Sequence, residues 1–374
     1  MRRAVAALRT LAVAASLAAA GLTITAPPAV AADPPATGRI AFWDFVTNQI
    51  YALNPDGTGL AQLTHEPQGI SAQGPAWSPD GSRLLFARVN VSKGVGRIWI
   101  MNADGTGQRL LVSDAGRSDI QPSYSPDGEH IVFTRCLPNF ERCAIWIMRS
   151  DGTQRHLVIP FLQAPTETSN FDPKVSPDGR RITFTRFGFN GIIAQVWVAR
   201  IDGTHAHPLT APRLEAYVPA WSPDGSHIAF ADNCCRPQSS IDVMRANGTA
   251  VTRLATTPWP TNNFGPAYSP DGNQIAFSGD RRHPDLCCEE LFVMRADGSR
   301  QHLVATGIQG VIGATWGTAP PIPPGSPGTI SRPPASAQVP GASRSTRCYV
   351  LSPWLTSRRC IVSSAGMTLG RPSR

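Results

Sequence analysis

The sequence predicts an all-β fold, a closed six-bladed β-propeller of four-stranded blades, and three observations carry that prediction. One phrase recurs five times, as Trp77-Ser-Pro-Asp-Gly81, Tyr124-Ser-Pro-Asp-Gly128, Val175-Ser-Pro-Asp-Gly179, Trp221-Ser-Pro-Asp-Gly225 and Tyr268-Ser-Pro-Asp-Gly272. Its copies stand about 45–50 residues apart, the length of one propeller blade. A second phrase interleaves with it, from Pro55-Asp-Gly-Thr58 through Ala103-Asp-Gly-Thr106, Ser150-Asp-Gly-Thr153, Ile201-Asp-Gly-Thr204 and Ala246-Asn-Gly-Thr249 to Ala296-Asp-Gly-Ser299. Between the phrases lie only short alternating or apolar runs, none long enough for a helix.

Each element has a local reason. In Ser-Pro-Asp-Gly the Pro ring presets φ for a tight turn, Asp bonds its own backbone, and Gly takes the φ > 0 position. Asp-Gly-Thr closes a second hairpin in the same way. The runs between them, such as Arg83–Arg88, Arg97–Met101 and Gln108–Leu111, are dominated by β-branched, aromatic and other apolar residues and read as strands. One unit is therefore four strands, a to d, with strand a carrying the Pro-Ala-Trp-Ser stretch. A sheet so small cannot bury both faces alone, and radial stacking solves that.

Strands b, c and d occur six times, first at Arg39–Phe42, Ile50–Leu53 and Ala61–Thr64. That first unit lacks a strand a. The missing strand is expected at the far end, Gly313–Gly317, where Trp316 takes the place of Trp77 and Trp221. The propeller is thus expected over 39–317, closed by a C-terminal strand that completes the N-terminal blade.

The phrases resemble the WD40-like repeats of TolB-type propellers, over about residues 39–317. The resemblance implies a six-bladed binding propeller, in a family that binds a peptidoglycan-associated lipoprotein. TolB's separate α/β domain before its propeller has only Ala32–Gly38 in its place here.

The N-terminus reads as a secretory signal peptide over 1–31. It has Arg2, Arg3 and Arg9, an apolar stretch to Ile24, and a small-residue site at Ala29-Val-Ala31. The apolar stretch is too short to favour a spanning helix, and a short lead, 32–38, follows it. Residues 318–347 are a Pro/Ser/Gly-rich linker, expected extended and solvated. Residues 348–374 form a basic tail too short to build a core, and are read as disordered.

The net charge of +8 is concentrated at these ends. Three arginines lie in the signal, and seven follow Gly317 with no acid among them; without them residues 32–317 carry −2. A nearly neutral body has no clustered basic face for nucleic acid. The chain is expected to be exported or to face the exterior of the envelope, as a monomer with no spanning segment once the signal is cut. No cofactor or metal is expected.

Eight cysteines in an exported chain argue for disulfides before metal. Cys136 and Cys143 flank one b–c hairpin and are expected to pair, as are Cys348 and Cys360 in the tail. Cys234-Cys235 and Cys287-Cys288 fall in b–c loops of consecutive blades. Crosswise bridges are preferred there to vicinal ones, which need unusual peptide geometry.

Function is sought where the repeats differ, on the d–a and b–c connections that share one face. Just before strand a come Asp119, Phe171, Asp172, Glu215, Tyr217, Asn263 and Phe264. One reading makes Gln73, Ile120, Phe171, Tyr217, Phe264 and Ile312 a ring of mostly apolar groups around a pocket, with Asp119, Asp172, Glu215 and Asn263 as polar partners. The other packs the apolar groups between blades, and period-2 geometry favours it. Arg281 and Arg282 belong to the most charged b–c loop and could grip a polar or anionic partner.

His156 and His302 share a slot, before the Leu of strand d, with Gln62, Arg109 and Arg253, which marks a surface position. The Asp residues of the turns serve turn geometry. No Gly-x-Ser-x-Gly, His-Glu-x-x-His or phosphate loop is present. The expectation is a secreted, non-catalytic platform for an envelope or extracellular protein or glycan. The alternative is an extracellular carbohydrate-active enzyme using Asp119, Asp172 and Glu215 at the channel mouth. Carboxylates converging on a common point would favour the enzyme.

Overall fold

A computed structural model describes residues 37–326, except 113, 141, 163–167, 189–192, 233–238, 256–261, 282–289, 305–307 and 309. The described residues form six four-stranded antiparallel sheets arranged as a six-bladed propeller. The innermost strands a are Val311–Gly317 (blade 1), Ile70–Trp77 (2), Ser118–Tyr124 (3), Thr168–Val175 (4), Tyr217–Trp221 (5) and Asn263–Tyr268 (6). Each touches the strand a of the next blade, so together they line the central channel.

The repeated turn works as its chemistry requires. In blade 2 the Ser78 hydroxyl donates to Asp80 Oδ1 and accepts the Arg83 N–H, while Asp80 Oδ1 also accepts the Ser82 N–H. The same bonds recur at Ser125, Ser176, Ser222 and Ser269. The Ser78 and Ser82 donors pull the Asp80 carboxyl down to about 2, so it is spoken for. Gly81 has φ 69°, and a Cβ there would lie 2.2 Å from the Ala319 nitrogen; glycine is needed for both reasons.

Strand b of every blade places one phenylalanine at the same level: Phe42, Phe86, Phe133, Phe184, Phe230 and Phe277, all fully buried. They pack with the strand a aromatics and the strand c apolar residues of neighbouring blades. These shared clusters hold one small sheet against the next.

The C-terminal strand closes the ring as expected. Val311–Gly317 pairs with Arg39–Asp44, with Ile40 opposite Trp316. Trp316 is 8 % exposed and donates its indole N–H to the Thr37 carbonyl at 3.0 Å. The stretch read as solvated linker begins with docked residues. Asn54 bonds both backbone groups of Ile322, at 3.1 and 2.7 Å, and Thr318 donates to the Pro79 carbonyl. Ala319 and Ile322 are buried with Leu63 and Trp77, so the c–d turn of blade 1 and the a–b turn of blade 2 are strapped together.

Cys136 and Cys143 sit at bonding distance across the mouth of their hairpin. Cys234, Cys235, Cys287, Cys288, Cys348 and Cys360 lie outside the described residues, as do the signal and the tail beyond 326. Among the described residues, no helix is long and apolar enough to cross a membrane.

Candidate functional site

Strand a is irregular in every blade at the same point. Its register with strand b slips between Gln73 and Ala76, Ile120 and Ser123, Phe171 and Lys174, Tyr217 and Ala220, and Phe264 and Ala267. In blade 1 the slip falls opposite Ala41 and Trp43. The first residue of each bulge has positive φ: Gly74 58°, Gln121 51°, Asp172 52°, Val218 51°, Gly265 53° and Gly313 63°. Five of the six precede a proline, a position that normally stays extended. The bulge overrides that preference and forms a waist in the channel.

Neighbouring waist residues meet around the ring. A Cβ on Gly74 would lie 3.8 Å from the Gln121 Cα, and one on Gly265 3.6 Å from the Gly313 Cα. Gln121 donates its amide to Asp172 Oδ1 and accepts the Asp172 N–H at 2.8 Å and the Thr134 hydroxyl at 3.1 Å. Thr185 then bridges onward, donating to Asp172 Oδ2 and accepting the Val218 N–H at 3.0 Å. Burial pushes the Asp172 carboxyl up to about 6, against the pull of Lys174, Thr185 and Gln121. Burial likewise pushes Lys174 down, and Asp172 partly restores it. Lys174 stands where the other blades have Ala76, Ser123, Ala220, Ala267 and Thr315, so blade 4 alone places a charge pair at the waist.

Above the waist, at the mouth end of strand b, three blades repeat an arginine two residues after the buried phenylalanine. Arg88, Arg135 and Arg186 lie over Trp99, Trp146 and Trp197, with guanidinium carbons 4.8, 4.7 and 4.2 Å from the ring centroids. Arg88 pairs with Glu66 at 2.6 Å. Arg135 takes both oxygens of Asp119, at 2.7 and 2.9 Å, and Asp114 at 2.6 Å. Burial pulls Arg135 down, but Asp119 and Asp114 outweigh it and leave it above the usual value. Blade 5 departs from the pattern: Asp232 and Asp242 face Arg253 at 2.8 and 3.5 Å. Burial, and then Asp242, push Asp232 up to about 6.

The residues nominated from sequence divide clearly. Phe171 and Tyr217 are buried, the first edge-on to Phe187 and the second against Phe264. Both pack between blades. Asn263 is fully buried, donating to the Ser239 carbonyl at 3.0 Å and accepting from Arg281 at 3.2 Å. Arg281 stacks on Phe277 and Phe292. Glu215 caps a short 3-10 helix, Pro212–Leu214, in a left-handed conformation. Arg282 lies outside the described residues.

The three nominated acids do not share a point. Asp119 is held by Arg135, Asp172 by Gln121 and Thr185, and Glu215 stands in a separate connection. Two pairs of acids at the mouth are bridged by arginine, Asp114 and Asp119 by Arg135, and Asp232 and Asp242 by Arg253, and the Glu215 charge adds to the push on Asp232. One trio of ligand types, Asp127, Glu129 and His130, lies on an a–b turn at the opposite face, with Asp127 already taken by Ser125.

The histidine slot needs a correction. His156, His207 and His302 share a register position with Ala61, Arg109 and Thr252, while Gln62 and Arg253 fall one residue later. The histidines are exposed, so the slot is still a surface one.

Residues 136–318 match the family model described as the TolB beta propeller domain. The fold is similar to TolB from Acinetobacter baumannii, at 19 % identity and TM-score 0.61, covering 76 % of this chain and 67 % of that one. It is similar to a protein assigned as TolB from Agrobacterium tumefaciens, at 20 % identity and TM-score 0.57, covering 74 % and 92 %. A chain of a nidogen/laminin complex also matches, at 13 % identity and TM-score 0.58, over 75 % and 99 %. At these identities the likeness shows the fold. No curated protein matches in sequence.

Proposed function

We propose that this chain, a TolB-type β-propeller, is an exported, non-catalytic platform that binds an envelope or extracellular protein or glycan at the channel mouth. The observation that carries the reading is the fate of the acids. Asp119, Asp172 and Asp232 at the mouth are each tied to a donor of the chain itself, which suits a rigid rim better than acid–base chemistry. Loops on such a frame are where binding residues concentrate. Export is supported by the Arg2–Ala31 pattern and by the paired Cys136 and Cys143.

The test is capture of envelope components by the full chain and by a chain ending at Ser326, which keeps the docked residues Thr318–Ile322. Both chains are expected to recover the same partner. Recovery by neither would end the platform reading, and recovery by the full chain alone would move the binding site to the tail. The enzyme reading keeps one supporting observation, the raised carboxyl of Asp172 beside Lys174 in the channel.

A further inference from the structure

Blades 3 and 4 build the same guanidinium cradle and complete it differently. Arg135 and Arg186 both stack between the strand b phenylalanine, 5.3 Å away in each, and the strand c tryptophan. Both stand opposite the same position of strand a, Asp119 in blade 3 and Asn170 in blade 4. Asp119 fills the arginine fork with two oxygens. Asn170 offers one, to Arg186 Nε at 2.8 Å, and its own amide is held by the Pro160 carbonyl at 3.0 Å. It therefore keeps its orientation, and among the described residues the rest of the fork has no hydrogen-bond partner.

Among the described residues no carboxylate pairs with Arg186, whereas Arg88 has Glu66 and Arg135 has Asp119 and Asp114. Burial alone, unopposed, pushes Arg186 down to about 10. A planar fork stacked on an aromatic ring is built for two parallel bonds to one carboxylate. In blades 2 and 3 the occupants are Glu or Asp side chains, Glu66 and Asp114 presented from connecting loops and Asp119 from an extended strand.

We propose that the Arg186 cradle receives an Asp or Glu side chain of an extended acidic peptide, in the position that Asp119 fills one blade earlier. The proposal rests on the reading of the mouth as a binding face and names the chemistry of its ligand. Arg186 is half-buried at the mouth end of strand b, so a peptide lying across the rim reaches it without opening the ring.

The experiment uses the full chain with nitrogen-15-labelled arginine, following the side-chain Nε–H signals. The probes are acetyl-Gly-Glu-Gly-amide and the same peptide with Gln in place of Glu. The Glu peptide is expected to shift the Arg186 signal and to bind about tenfold more tightly than the Gln peptide, as a charge-assisted bond requires. Asn170→Asp supplies the missing carboxylate internally. It is expected to abolish the preference for Glu, as Arg186→Gln also should. A preference that survives Asn170→Asp with the fold intact overturns the proposal. So does binding of glucuronate with no response to the peptide. Envelope partner capture that is unchanged by Asn170→Asp removes this site while leaving the platform standing.

Discussion

The waist of the channel runs through Gly265, Gly313 and Gly74 on one side and Gln121, Asp172 and Val218 on the other, yet all six residues hold the same left-handed backbone. The ring therefore imposes the conformation, and residue type decides what it costs. Glycine adopts it freely. A residue with a side chain is strained by about 1–3 kcal/mol, and a β-branched one such as Val218 is an outlier. The strained half is the half with support: Gln121 cradles Asp172, and Thr185 joins Asp172 to Val218. Blades 3 to 5 also hold the Arg135, Arg186 and Asp232 clusters. At the waist itself, side-chain hydrogen bonds join the residues whose backbone has been held against its preference.

The comparison breaks most visibly at Gln121. Gln121→Ala removes the amide donor to the Asp172 carboxylate and the acceptor for its N–H, and should destabilise the fold by about 2–3 kcal/mol. Denaturant midpoints check this; an unchanged midpoint would mean that the strained half needs no such support. Next is the charge itself. The folded carboxyl of Asp172 lies at about 6 against an ordinary 3.8. Its ionisation thus works against folding, so its contribution is fully present below 3.8 and is lost as pH rises through about 6. Asp172→Asn should match the parent at low pH and gain about 1–2 kcal/mol at pH 7, a figure reduced for its partial exposure. Parallel stability profiles for the two proteins would refute this. The smallest effect is at Val218. Val218→Gly relieves the strain at some loss of chain entropy, and should stabilise by about 0.5–1 kcal/mol. A lower midpoint would show that the valine's contacts outweigh its backbone strain.

The repeat pattern foretold the ring because turn chemistry is local. Ser78, Asp80 and Gly81 make their bonds within five residues, so their order in the chain is enough to place them. Trp316 was legible for the same reason, since its neighbours repeat those of Trp77 and Trp221. The waist was not legible: its residue changes from Gly to Gln, Asp and Val, and a following proline argues for extended backbone. The arginine cradle was hidden in plain view as Phe-x-Arg at Phe86, Phe133 and Phe184, each followed by a strand c tryptophan. Only the ladder shows that Asp119 and Asn170 face its second and third copies.

Blade 1 is assembled from the two extremes of the propeller, with Arg39–Asp44 paired to Val311–Gly317. The Ile40 edge therefore stays bare until Val311–Gly317 reaches it. A product cut short before Val311 would keep that edge permanently open to another chain's strand. Completion of the circle covers that edge and removes a template for aggregation.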